Sequence, residues 1–154
     1  MYTIERSIEI AAPPATLRTA ISTGDGFRAW FAVDTQVDAA GRYTFSFPPR
    51  AVTFTLDRAG DRGIAMTCVH EQENPDWLDT KLAITLTPVA GGKTRVDLEH
   101  SGYLSKNECY EQCIKGWEHF LSSLALYATT GKGMPFDAKV SGPAPARTSA
   151  EVAS

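Results

Sequence analysis

The chain has no apolar run approaching the ~20 residues that a bilayer-spanning helix needs, so membrane insertion is not expected. It has no basic excess either: 15 Lys and Arg against 18 Asp and Glu give a net charge of −3. That balance removes the positive footprint on which nucleic-acid binding depends. Cys68, Cys109 and Cys113 are an odd number with no Cys-x-x-Cys pair, which reads as reduced thiols in the cytoplasm and not as a disulfide framework. The first residues alternate polar and apolar, so the apolar segment of a signal peptide is missing at this end. No glycine-rich phosphate loop occurs, and no Ser-His-Asp or Cys-His-Asn order carries a family signature. Nor does any Asp or Glu fall on the apolar faces described below. Hydrolytic chemistry wants a positioned acid, base or nucleophile, so these absences favour binding over catalysis. No cofactor is expected.

What the chain does have is ordinary globular composition, 43% hydrophobic and 21% charged over 154 residues, enough for one domain with a sizeable core. Tyr2, Ile4, Ile8 and Ile10 share one face of a first strand, with Arg6 interrupting the apolar row. Pro14 opens a short helix through Leu17, Ala20 and Ile21. Asp25 is the expected cap of a second short helix carrying Phe27, Trp30 and Phe31. From Val33 to Ser101 strands alternate with turns. Tyr43, Phe45 and Phe47 form one face, Val52, Phe54 and Leu56 the next, and Ile64, Met66, Cys68 and His70 another. After the Asn74-Pro75-Asp76 break, Leu78, Thr80, Leu82, Ile84 and Leu86 continue the pattern. Gly91-Gly92 turns into Val96, Leu98 and His100. Five or six strands so joined make an antiparallel meander.

Ser105-x-x-Glu108 is a capping box. It precedes a stripe of Tyr110, Cys113, Ile114, Trp117, Leu121 and Leu124 at helical spacing, stopped by Gly131 or Gly133 and Pro135. This helix of about 24 residues would run about 36 Å and is long enough to cover the apolar face of the sheet. The fold class is therefore α+β, a curved antiparallel sheet wrapped around a long C-terminal helix with two short helices after the first strand. Residues 1–136 form the domain; 137–154, rich in Ala, Pro and Ser, form a tail expected to be flexible.

Ile8-Glu-Ile-Ala-Ala-Pro-Pro, Phe27-Arg-Ala-Trp-Phe, Gly41-Arg-Tyr-Thr-Phe and Thr80-Lys-Leu-Ala-Ile-Thr-Leu occur in this order. They are followed by Thr94-Arg-Val-Asp-Leu-Glu-His-Ser-Gly-Tyr and Gly116-Trp-Glu-His-Phe-Leu-Ser-Ser-Leu. With these segments the chain resembles the START-like (SRPBCC, Bet v-like) helix-grip superfamily. Within it, it is similar to the activator of heat-shock protein 90 ATPase homologue-like family, over roughly residues 1–133. Pro48-Pro49-Arg50 departs from the smoother strand connection of that family. The resemblance implies a pocket between helix and sheet for an apolar or amphipathic small molecule. Other branches implied by it are a cochaperone-like protein-binding module and cyclase, dehydrase or hydrolase chemistry on pocket His or Tyr residues such as His70, His100 or Tyr103.

If the apolar strand faces look into such a pocket, its walls are Trp30, Phe45, Phe54, Met66, Cys68, His70, Leu82, Ile84, Leu98 and His100. Trp77 would rim the entrance, and Tyr110, Cys113 and Trp117 would face it from the helix. Each has a plain alternative. The tryptophans are core residues as readily as ligand platforms, and His100 is either a ligand anchor or a strand-end histidine bonded to backbone or water. Cys109 and Cys113 are small packing residues on one helix face. Cys68, His70 and His100 lack a standard zinc spacing, so no metal is expected. Arg6 either holds a ligand carboxylate or lets its head group reach water. A ligand-binding carrier or sensor, monomeric or homodimeric and with room for a protein partner, is the leading expectation.

Overall fold

The computed structural model describes residues 2–48, 50–71, 77–103 and 108–141. Alternation of side chains across an extended backbone places β1 at Tyr2–Ile10, with Ile4 and Ile10 inside, as the first edge of a seven-stranded antiparallel sheet. The others are β2 (Thr35–Val37), β3 (Tyr43–Phe47), β4 (Arg50–Gly60), β5 (Gly63–Glu71), β6 (Lys81–Val89) and β7 (Lys93–Tyr103). The spatial order β1-β7-β6-β5-β4-β3-β2 is a meander, with β1 paired to β7. Between β1 and β2 lie α1 (Pro14–Ser22) and α2 (Gly24–Trp30); α3 (Glu108–Thr130) follows the sheet, and a short α4 spans Ala138–Ser141. Among the described residues no helix is long and apolar enough to cross a membrane.

The helix-grip architecture thus matches the sequence expectation, with three local differences. The extra strand β2 is only three residues long, too short for an alternating pattern to register. The cap of α2 is Thr23, whose Oγ1 accepts the Gly26 N–H at 2.9 Å, while Asp25 pairs with Arg28 at 2.7 Å. An Ncap lies before the first helical turn and Asp25 is already inside it. Leu78 belongs to a turn before β6 and is exposed. The Ser105 half of the expected capping box and the 74–76 break lie outside the described residues.

The inner sheet face, α1, α2 and α3 close on one core containing Phe27, Trp30, Phe31, Phe45, Phe54, Met66 and Trp117. Each such side chain contributes about 1.5–3 kcal/mol by leaving water. Buried polar groups are bonded across elements: Trp30 Nε1 to Ala20 O at 2.7 Å, Tyr43 Oη to Ser22 O at 2.7 Å, and Thr94 Oγ1 to Ala12 O at 2.8 Å. After α3 the chain doubles back over the helix. Met134 N donates to Ser123 Oγ at 2.6 Å, and that hydroxyl donates to Trp30 O at 2.8 Å. Phe136 N donates to Phe31 O at 2.8 Å and Val33 N to Phe136 O at 3.0 Å. Gly133 allows this approach, because a Cβ there would stand 2.6 Å from Ala29 O.

The hairpin between β4 and β5 supplies a stability test. Gly63 has φ +130°, and a Cβ would lie 1.9 Å from Ile84 O across the β5–β6 pair. Gly63→Ala is expected to cost about 3 kcal/mol or more through strain and clash. Gly60→Ala, where a Cβ meets nothing within 4 Å, should stay within about 0.5 kcal/mol of the parent. Urea denaturation of the two variants checks the contrast.

Candidate functional site

Where α3 crosses the sheet, Trp117 lies parallel to Phe31 (centroids 5.6 Å, interplanar 1°) and to Trp77 (6.0 Å, 8°). This stack forms the floor of a cavity of about 210 Å³. Phe47, Val52 and Phe120 continue the apolar wall, and Phe136 from the returning segment packs on Phe47 at 5.3 Å and closes one side. Cys113, Gly116, Trp117 and Phe120 reach the cavity from one face of α3, as their three- and four-residue spacing dictates. Gly116 leaves space there: a Cβ would touch nothing within 4 Å.

Two basic side chains join this aromatic lining. Arg50, at the start of β4 opposite Phe47, is only 4% exposed. His119 is exposed at the rim. Its Nε2 lies 3.3 Å from Met134 O. A carbonyl only accepts, so that nitrogen carries the proton.

Beneath the floor sits His100, fully buried. Thr80 Oγ1 donates to Trp77 O at 2.6 Å, so toward His100 Nε2, at 2.8 Å, it acts as acceptor. The imidazole is therefore the Nε2–H tautomer. Its Nδ1 accepts from Trp117 Nε1 at 3.1 Å and from Tyr103 Oη at 3.1 Å. Desolvation lowers its pKa from 6.5 to about 3. A second proton would set an N–H on Nδ1 against the Trp117 N–H. His100 is a neutral core histidine with both nitrogens engaged.

Of the residues singled out in the sequence, Trp77, Cys113 and Trp117 line the cavity, with the Trp77 indole N–H donating to Cys113 Sγ at 3.3 Å. Trp30, Phe45, Phe54, Met66, Cys68, Leu82, Ile84, Leu98, His100 and Tyr110 are buried in the surrounding core. His70 is placed on the exposed side. Thr53 pairs with His70 but Phe54 with Cys68, so the bulge at Val69 breaks the alternation. Arg6 turns to the surface and pairs with Glu118 of α3 at 3.2 Å. The side chain of Cys109 lies outside the described residues. Among the described residues no cluster of metal-ligating side chains forms.

Residues not anticipated were Phe31, Phe47, Arg50, Val52, Gly116, His119, Phe120 and Phe136. Only Gly116, a mid-helix glycine worth about 1 kcal/mol against alanine, carried a signal pointing here without the fold. A second depression, on the outer sheet face, is polar. In it Arg95 pairs with Asp97 at 3.0 Å.

The His100 arrangement makes stability pH-dependent with a defined sign. The unfolded histidine takes up a proton near pH 6.5 and the folded one only near pH 3. This contribution is therefore complete above pH 6.5 and is lost as pH falls toward 3, by up to about 1.4 kcal/mol per pH unit. His100→Gln is expected to cost about 2–4 kcal/mol at pH 7 and to be less acid-sensitive across that window. Denaturant titrations from pH 7 to 3.5 compare the slopes.

No curated protein matches the chain. Among solved structures, the Aha1 dimer from Colwellia psychrerythraea is similar at TM-score 0.76 and 24% identity, covering 86% of this chain and 100% of that one. Protein MLL2253 from Mesorhizobium loti gives 0.69 and 20%, covering 80% and 94%. CalU16 from Micromonospora echinospora gives 0.66 and 19%, covering 86% and 76%. At these identities the likeness establishes the fold. The profile of the Activator of Hsp90 ATPase homolog 1-like protein family matches residues 11–129, and the chain belongs to that family.

Proposed function

We propose that the protein binds a small apolar or amphipathic molecule in the cavity between the sheet and α3 and acts as a carrier or sensor without turning it over. The observation that carries this reading is the cavity of about 210 Å³ walled by aromatic rings and kept open beside Gly116. Protein interiors are close-packed, and concave apolar sites with a few polar groups are where small ligands bind. Absence of turnover is supported by the lining, which among the described residues contains no carboxylate. It is supported too by His100, whose two nitrogens are already bonded within the core.

The second reading is a protein-binding module related to chaperone ATPase activation, favoured by the family to which the chain belongs. A homodimer is part of either reading, since the Colwellia relative is described as a dimer.

A thermal-shift screen against apolar and amphipathic compounds separates the two. A ligand present at about 100 times its Kd adds about 2.7 kcal/mol, or about 5–10 °C for a chain of this size. Gly116→Leu should fill the cavity, keep the fold and abolish that shift. A flat screen with the parent protein would overturn the small-molecule reading and favour the partner-binding one.

A further inference from the structure

Resting on the cavity reading, the kind of side chain that lines the cavity narrows the chemistry of its ligand. The surrounding core is rich in aliphatic groups, among them Met66, Ile84, Leu98 and Leu121. None of these four lines the cavity, where the one aliphatic side chain among the described residues is Val52. The apolar wall is otherwise the rings of Phe31, Phe47, Trp77, Trp117, Phe120 and Phe136. Flexible aliphatic side chains can mould themselves to a branched or puckered guest, whereas aromatic side chains are stiff and flat. These rings also hold one another. Phe31 packs on Trp117 at 5.6 Å between centroids, on Phe120 at 4.7 Å and on Phe47 at 5.5 Å, and Phe47 packs on Phe136 at 5.3 Å.

Their planes differ in a way that an aromatic guest can use. Phe31 and Trp117 are parallel to within 1°, while Phe47 and Phe120 stand at 80° and 66° to Phe31. A flat ring lying parallel to the first pair is therefore steep to the other two. Such a guest can combine offset-stacked with edge-to-face contacts, the two arrangements that ring quadrupoles favour beyond buried area. A saturated ring has no quadrupole of that kind and gains burial alone. Size sets the other limit. At about 210 Å³ the cavity exceeds the roughly 150 Å³ void that admits benzene and falls below the roughly 300 Å³ at which drug-sized pockets begin.

We propose that the cavity selects flat aromatic compounds of one ring or two fused rings over saturated rings and alkyl chains of similar size.

Calorimetric titration of the full chain with 2-naphthol and with decahydro-2-naphthol tests this. The two share a carbon skeleton and a hydroxyl, and saturation removes no apolar surface. Burial alone therefore predicts equal or tighter binding of the saturated compound. The aromatic one is expected to bind at least about tenfold more tightly, the gain of two or more ring–ring contacts. Gly116→Leu should abolish binding of both, which places them in the cavity. Phe120→Leu, at a half-buried ring, replaces an aromatic wall with an aliphatic one. It should lower the preference by about threefold or more while leaving the affinity for decahydro-2-naphthol within a few-fold. Circular dichroism monitors the fold of both variants, and if either does not fold, the ligand pair on the parent protein decides. Equal affinities, tighter binding of decahydro-2-naphthol or of 1-decanol, or an unchanged preference in folded Phe120→Leu would overturn the aromatic assignment and leave the cavity reading standing. Undiminished binding to folded Gly116→Leu would overturn both. Binding of none of the three compounds would overturn the aromatic assignment, and with a flat thermal-shift screen it would remove the cavity reading itself.

Discussion

A buried imidazole that must stay neutral is the constraint on which the rest of the site depends. Hydrophobic burial has no direction; it places Trp77, Trp117 and Phe31 inside but does not fix their planes. His100 does. Its Nε2 meets the Thr80 hydroxyl, which also holds the carbonyl of Trp77, and its Nδ1 receives the indole N–H of Trp117. Strand β7, the segment before β6, and α3 are thereby joined through one ring. A fully satisfied polar network of this kind in a low-dielectric interior specifies geometry as well as contributing energy. It holds the Trp117 plane, to which Phe31 and Trp77 lie parallel, and the three rings line the cavity.

The cavity persists for a related reason. A void in a close-packed interior normally shrinks as neighbours relax into it. Here the floor rings are tied below by His100, and the lid residue Phe136 is tied above by backbone bonds to Phe31 and Val33. Ser123 bonds both the returning segment and the end of α2. With walls held from both sides and no side chain at position 116, little is free to collapse inward.

The fold was legible because its signals are long and periodic: the alternation through β1, β5, β6 and β7, and the stripe from Tyr110 to Leu124 that became the covering helix. The cavity was much less so, for physical reasons that differ by residue. Strand parity cannot reveal a bulge, and the one at Val69 moved His70 to the surface. Parity also cannot separate wall from core, so Phe45, Phe54 and Leu98 read the same as Val52, which does line the cavity. Arg50 follows two prolines, in the segment that departs from the smoother strand connection of the family, though it opens β4 from inside the wall. Phe136 stands after Pro135, which ends a helical pattern and says nothing of a chain that folds back. Local periodicity identifies what is buried, while the neighbours of a buried group are set by the register of distant segments.

The two kinds of basic group around the cavity constrain what can happen inside it. An acid or base must reach its substrate with a free nitrogen or oxygen. His100, the one fully buried ionisable group of the described residues with a pKa driven far from its usual value, sits below the floor, and the tryptophan it orients stands between it and the cavity. Arg50 is part of the cavity lining and does not exchange its proton at any ordinary pH. His119 stands at the rim, bonded to the returning segment and open to water. The strongest perturbation among the described residues therefore serves architecture.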